Sequence, residues 1–298
     1  MPELPDITVY IEALERRVLG QKLVRADIAS PFLLRTAEVA PKACEGHAVK
    51  ELRRIGKRIA FGFDHDIWMV LHLMIAGRLH WSTKVKKPDG RRTLAAFTFD
   101  AGCLTLTEAG SQKRAGLYIV GRKELAEMDP GGIDAMTASA AEFGRVLTSA
   151  NHTLKRSLTD PHLFSGIGNA YSDEILHRAR LSPVMLTSRI SAQEVVRLHA
   201  AVRDTLAEWT ARLRAEAGDA FPEGVTAFRK EMAVHGRYGL PCPVCGTKVQ
   251  RIRYASNETN YCPQCQTGGR LLADRALSRL LRQDWPRSLD ELEEMRKR

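Results

Sequence analysis

The sequence predicts an α+β, multidomain chain: an N-terminal β-sandwich with one flanking helix, a helical domain, and a four-cysteine module before a C-terminal tail. Three observations lead there. Up to about residue 120, apolar residues fall in short runs rich in β-branched and aromatic side chains, broken by glycine, Asp-His or Pro-Asp-Gly. From about residue 137 the period becomes helical. Near the C-terminus stand two Cys-x-x-Cys pairs, Cys242/Cys245 and Cys262/Cys265.

Taken in order, Ile7, Tyr10, Ile11, Leu14 and Val18 recur at helical spacing, with Gly20 as the stop. Strand character follows over 22–29, 48–63, 67–81, 94–99, 103–106 and 117–120, which completes a sandwich domain at 1–120. Charged and glycine-rich sequence at 121–136, including Met128-Asp129-Pro130-Gly131-Gly132, reads as a linker. Ser139 with Glu142, and Ser191 with Glu194, fit capping boxes inside a helical domain at 137–235. The second box opens an amphipathic run through Val195, Leu198, Val202, Leu206, Trp209 and Leu213. The cysteine module covers 236–267, with hairpin strands expected over 248–255 and at Asn260-Tyr261. In the tail, 268–298, Leu271, Leu272, Ala276, Leu277, Leu280, Leu281 and Trp285 make one apolar helical face before Pro286.

Lysine and arginine outnumber aspartate and glutamate 45 to 35 over 298 residues, for a net charge of +10. Such a balance favours a polyanionic partner, nucleic acid first and an anionic membrane surface second. No run approaches 18 apolar residues and no leader pattern opens the chain, so no membrane partner and a cytoplasmic or nucleoid-associated location are expected. In a reducing compartment the paired cysteines indicate metal, while Cys44 and Cys103 read as buried small hydrophobes. Four thiolates on two tight turns suit one tetrahedral, structural zinc with no open position.

The opening, Met1-Pro2-Glu3-Leu4-Pro5-Asp6, carries the chemistry. Trimming of Met1 before the small Pro2 would leave a secondary amine at the terminus. An α-amino group titrates near ~8, against ~10.4 for lysine, so a useful fraction is nucleophilic at neutral pH. Such amines form Schiff bases with carbonyl-like carbons, and Glu3 stands ready to move protons. Around Gly166-Ile167-Gly168-Asn169, a tight turn feeding a helix N-terminus, with the Asn169 amide, suits one phosphate; a packing turn is the alternative.

Together the opening motif, Arg53-Arg54-Ile55-Gly56-Lys57, His72-Leu73 with Gly77-Arg78-Leu79, the Gly166–Asn169 turn and the four-cysteine finger occur in one order. Over about residues 2–267 the chain resembles the formamidopyrimidine-DNA glycosylase/endonuclease VIII family of base-excision repair enzymes. The resemblance implies a helix-two-turn-helix domain and a zinc finger, with damaged DNA as the partner of a monomer. It also implies a bifunctional glycosylase/AP lyase. A flipped nucleotide would be attacked at C1′ by Pro2, Glu3 would protonate the opening sugar, and β,δ-elimination would cut the strand. Lys57 matches a catalytic strand lysine that binds phosphate, and Lys155 and Asn169 match positions near the lesion's phosphates. His72 lies in a matching motif, with a structural strand histidine as the alternative.

Several positions depart from the family pattern. Asp6 replaces a glutamate. Among the wedge residues that fill the flipped base's place, the methionine position holds Ile75, with Met74 adjacent. Lys113-Arg114-Ala115-Gly116 replaces Arg-x-Phe-Gly, so Lys113 or Arg114 takes the arginine place and Ala115 cannot wedge. Asn257 stands where the finger arginine is usual, leaving Arg251 or Arg253 to meet phosphate. Residues 218–231 look short for a loop that closes over 8-oxoguanine, so oxidised pyrimidines, hydantoins and abasic sites stay open as substrates. A non-catalytic or weakly catalytic lesion binder on the same scaffold is the rival expectation.

Overall fold

A computed structural model describes residues 1–36, 38–110, 112–225, 228–254, 257–273 and 286–297. The chain divides into two compact units, Met1–Gly132 with Ala207–Ala227, and Ile133–Leu206 with Phe228–Arg298.

In the first unit, helix α1 (Leu4–Val18) has Pro5 in its first turn and Arg16 and Arg17 in its last, both favourable for a helix. Its buried stripe, Ile7, Tyr10, Leu14 and Val18, recurs at helical spacing. Strands β1 (Leu23–Ile28), β6 (Thr93–Phe99), β7 (Gly102–Glu108) and β5 (Gly77–Ser82) form one antiparallel sheet in that spatial order. The other is ordered β2 (Val49–Ile55), β3 (Arg58–Phe63), β4 (Trp68–His72) and β8 (Gly116–Val120). Phe61 and Leu71 from one sheet meet Phe97 and Leu104 from the other in a single cluster with Ile7, Tyr10 and Leu14. The expected sandwich with a flanking helix is present.

Two of the runs with strand character each hold two strands. Residues 48–63 become β2 and β3, joined at Gly56-Lys57, where Gly56 takes φ +58°, a region open to glycine at no steric cost. Residues 67–81 become β4 and β5, which lie in different sheets. Between them the Gly77 N–H donates to the Leu73 carbonyl at 2.8 Å. A Cβ on Gly77 would sit 2.3 Å from that oxygen, so only glycine closes this turn.

The expected linker at 121–136 contains a short helix, α2 (Arg122–Glu127), and Arg58 donates to the Met128 carbonyl at 2.8 Å. The helical region is also shared between units. Helix α6 (Ala192–Ala217) passes from one into the other, and 207–227 groups with the sandwich. Arg214 clamps Glu12 through two hydrogen bonds, at 2.8 and 2.6 Å, and Arg17 donates to the Asp219 carbonyl at 2.7 Å. Phe221 then enters the sandwich core with its ring 5.7 Å from that of Tyr10.

The second unit holds α3 (Ala140–Leu147), α4 (Leu154–Thr159), α5 (Asn169–Arg178) and the first part of α6. Ser139 and Thr153 accept from the N–H groups of Glu142 and Arg156, and Ser191 and Glu194 bond reciprocally. The buried rings of Phe143 and Phe164 pack at 4.8 Å. Next come the hairpin β9 (Gln250–Tyr254) and β10 (Asn257–Tyr261), helix α7 (Pro263–Thr267) and α8 (Leu289–Lys297). In the tail, Leu271 and Leu272 are buried, the Leu272 N–H donates to the Tyr261 hydroxyl at 2.8 Å, and Lys248 pairs with Glu293 at 2.5 Å. The expected apolar positions Ala276, Leu277, Leu280, Leu281 and Trp285 lie outside the described residues. Among those described, no helix is long and apolar enough to cross a membrane.

Phe221 is 7% exposed, so truncation removes core contacts rather than surface ones. Phe221→Ala should cost the first unit about 3 kcal/mol, read as a lowered midpoint in urea denaturation.

Candidate active site and metal centre

At the head of α1, Pro2 and Glu3 are both buried. The Glu3 N–H donates to Asp6 Oδ2 at 2.9 Å, so the shorter acid at this position still closes the first turn. The terminal amine of Met1 is held below the ordinary α-amino range. Burial lowers it most; Glu3 opposes, Arg78 assists, Asp6 opposes and Lys57 assists. Four charged side chains from three separate stretches therefore act on the chain terminus. Arg78 was not singled out from sequence, although it sits in a motif that was. Its guanidinium donates to the carbonyls of Ile75 at 3.1 Å and Gly77 at 2.7 Å, bracing the β4–β5 turn.

Lys57 lies in the β2–β3 turn and not in a strand, because Gly56 ends the pairing at Ile55 and Arg58. His72 closes β4, in register with Arg58 and Gly116. Burial, with Arg58 and Lys57 nearby, pushes the His72 imidazole down to about 4, which leaves it neutral at physiological pH. Met74 and Ile75 cap the next turn; Met74 takes φ +51° and Ile75 is 56% exposed. Of these two apolar residues, Ile75 is the more exposed.

Lys113, Arg114 and Ala115 are organised by a buried acid that sequence reasoning missed. The Glu108 carboxylate accepts the N–H of Arg114 at 2.9 Å and of Ala115 at 3.2 Å. The Lys113 ammonium donates to the Glu108 carbonyl, and Arg114 donates to the Gln112 side chain at 2.8 Å. Ala115 is 2% exposed and belongs to the sandwich core, so its methyl faces inward.

In the second unit, the Lys155 ammonium is turned inward, to the Asn169 carbonyl at 2.6 Å and Asp173 Oδ1 at 2.5 Å. Asp173 also meets His235 Nδ1 at 2.8 Å, and neighbouring Glu174 accepts the N–H groups of Ala233, Val234 and His235 at 2.7–2.9 Å. A buried carboxylate with several donors is satisfied; removing a partner leaves an uncompensated charge. The Asn169 side chain donates to the Glu258 carbonyl at 2.9 Å, tying the start of α5 to the finger hairpin. Gly168, the N-cap of α5, supplies no side-chain cap, which suits a helix N-terminus that receives an anion. Arg251 and Arg253 both reach Glu258 at 3.2 Å, and the Arg251 guanidinium stacks 4.1 Å above the Tyr238 ring.

The four cysteines converge. Their sulfurs lie within 4.8 Å of one another, with Cys245–Cys262 at 3.4 Å and Cys242–Cys265 at 3.9 Å. Four thiolates at a Zn–S distance of about 2.3 Å give tetrahedral edges of about 3.8 Å, so the donor set fits one structural zinc. Peptide N–H groups of Val244 and Cys265 point at Cys242 and Cys262 sulfurs, both at 3.5 Å, in the manner of turns that support thiolates. His177 Nε2 lies 3.3 Å from Cys242 Sγ, a neighbour that orients a ligand and was not predicted.

Comparison with known proteins gives the class first. Residues 1–114 match the family model "Formamidopyrimidine-DNA glycosylase N-terminal domain", 131–215 match "Formamidopyrimidine-DNA glycosylase H2TH domain", and 239–268 match "Zinc finger found in FPG and IleRS". A sandwich with a buried Pro-Glu head, a helix-two-turn-helix region and a four-cysteine finger is the make-up of a zinc-finger DNA glycosylase. A formamidopyrimidine-DNA glycosylase of Thermus thermophilus is 32% identical over 279 residues, covering 90% of this chain and 100% of that protein. The crystal structure of the Thermus thermophilus protein superposes with a TM-score of 0.74 at 30% identity, over 89% of this chain and 98% of that one. A Lactococcus lactis relative in complex with abasic-site DNA shares the fold, with a TM-score of 0.78 at 23% identity, over 89% and 99% of the two chains. The chain belongs to the formamidopyrimidine-DNA glycosylase family.

Two outcomes follow from this geometry. Because the imidazole of His72 falls from an ordinary ~6.5 to about 4 on folding, the folded chain binds fewer protons between those values. Stability is fully present above about 6.5 and lost as pH falls toward 4; His72→Gln should remove an acid-side loss on the order of 2 kcal/mol, read from urea midpoints across that window. Cys262→Ser, or chelation, should unfold the finger hairpin, seen as lost hydrogen-exchange protection over 250–261.

Proposed function

We propose that the chain is a bifunctional DNA glycosylase/AP lyase acting on oxidised bases in DNA as a monomer. The observation that carries this is the head of α1, where Pro2 and Glu3 are buried and Glu3, Arg78, Asp6 and Lys57 all act on the terminal amine of Met1. After loss of Met1, the Pro2 nitrogen would inherit a position whose burial and neighbouring cations hold an amine below its usual range. An unprotonated amine there attacks C1′ of the damaged nucleotide. The bond from C1′ to the base breaks and the base leaves with the amine's proton, giving an aminal; as the C1′–O4′ bond then breaks, an iminium joins Pro2 to the opened sugar. Glu3 protonates the ring oxygen as the sugar opens and then takes protons during β- and δ-elimination. Lys57 and Arg78 supply positive charge for the flanking phosphates, and neutral His72 donates a hydrogen bond rather than a charge.

In the second unit, Asn169, the N-terminus of α5 and the arginines of the finger hairpin, Arg251 and Arg253, are the groups proposed to hold DNA phosphates. Lys155, turned to Asp173, acts by positioning Asn169. Ile75 is proposed to occupy the space left by the flipped base. The inward methyl of Ala115 and the tied Lys113 favour a second possibility, a lesion binder with weak chemistry.

Borohydride reduction on abasic-site DNA separates the two. The untagged protein should give a covalent adduct, and Pro2→Gly or an N-terminal extension should reduce its yield at least about 100-fold. Tight binding by the unmodified protein with no adduct would establish the binder instead.

A further inference from the structure

Away from the chemistry described above, one cluster on the first unit has the composition of a metal site. His47, Asp64 and His65 each bring a ligand atom within 4.8 Å of the others. His47 Nδ1 lies 2.5 Å from Asp64 Oδ1, and the His47 and His65 rings meet edge to face at 5.2 Å. His47 precedes β2, while Asp64 and His65 form the β3–β4 turn; the register Val49↔Phe63 brings the two stretches side by side. The third turn residue, Asp66, is committed elsewhere, in a bidentate pair with Arg122 at 2.6 and 3.1 Å.

His65 and Asp66 both adopt φ +60°, a region in which aspartate and histidine are among the commoner non-glycine residues. This turn carries the His65 imidazole to within 4.8 Å of the ligand atoms of His47 and Asp64.

We propose that His47, Asp64 and His65 form a second metal site, for a zinc-class divalent cation, with water completing the coordination. Two imidazoles and one carboxylate are borderline-hard donors matched to Zn²⁺ or Co²⁺ and poor for Mg²⁺ or Ca²⁺. When the metal takes His47 Nδ1, the proton between His47 and Asp64 is displaced from that nitrogen to the ring's Nε2, and Asp64 Oδ1 turns to the metal. Six-residue β3 separates this turn from Lys57, a span of about 20 Å, so the site is distinct from the reacting centre. It does not depend on the glycosylase assignment.

The test uses the full-length, untagged protein with its finger zinc in place. Calorimetric titration with Zn²⁺ should show one further equivalent, and Co²⁺ should give visible d–d bands without sulfur charge transfer. His65→Gly suits the φ of that turn, so it should fold at least as stably without metal, yet weaken the second equivalent at least about 10-fold. Asp64→Asn should weaken it similarly. Uptake of the finger equivalent only, or a second equivalent whose affinity His65→Gly leaves unchanged, overturns the site.

Discussion

The structure depends on how its first turn of helix is closed. Asp6 accepts the Glu3 N–H, Pro5 pre-sets the backbone, and the stripe of Ile7, Tyr10, Leu14 and Val18 fixes the helix in the sandwich core. A chain terminus ordinarily frays. Here the residues at the terminus inherit the rigidity of the helix that follows, and their burial lowers the amine's affinity for a proton. Rigidity and the lowered proton affinity of the terminal amine thus share one cause. The segment 207–227 reinforces the other end of the helix, through Arg214 on Glu12, Arg17 on the Asp219 carbonyl and Phe221 on Tyr10.

Buried acids organise the remaining functional loops. Glu108 holds the backbone at Arg114 and Ala115, and Glu174 holds three successive N–H groups at 233–235. Asp173 pairs with the Lys155 ammonium and hydrogen-bonds the His235 ring. In each case a carboxylate removed from water is satisfied by donors that a loop must otherwise leave unpaired. Glu108 and Glu174 thereby give their loops a fixed shape, while Asp173 draws the Lys155 ammonium inward.

Much of this was legible in the sequence. Alternating runs, capping boxes and the spacing of Cys242, Cys245, Cys262 and Cys265 are local signals, and they located the sandwich, the helices and the finger. What escaped was non-local. Strand character continues on both flanks of Gly56 and Gly77, so the runs 48–63 and 67–81 do not by themselves mark where one strand ends and the next begins. Asp173 and Glu174, adjacent acids on a helix, look like a solvated face until residues 233–235 arrive from sixty residues away. Lys57 looked like a strand residue because a two-residue turn leaves little trace. Residues 207–227 belong with the sandwich because of contacts to α1, which no periodicity reports. Arg78 and His177 matter through a turn and a thiolate that only the folded chain brings near them.

The central claim is chemical: one backbone nitrogen, at the head of α1, becomes bonded to deoxyribose. Peptide mapping by mass spectrometry, after reduction of a reaction with abasic-site DNA, locates that bond directly. The account predicts the sugar remnant on the peptide that begins at Pro2. A remnant carried instead by the peptides of Lys57 or Lys155 would contradict it.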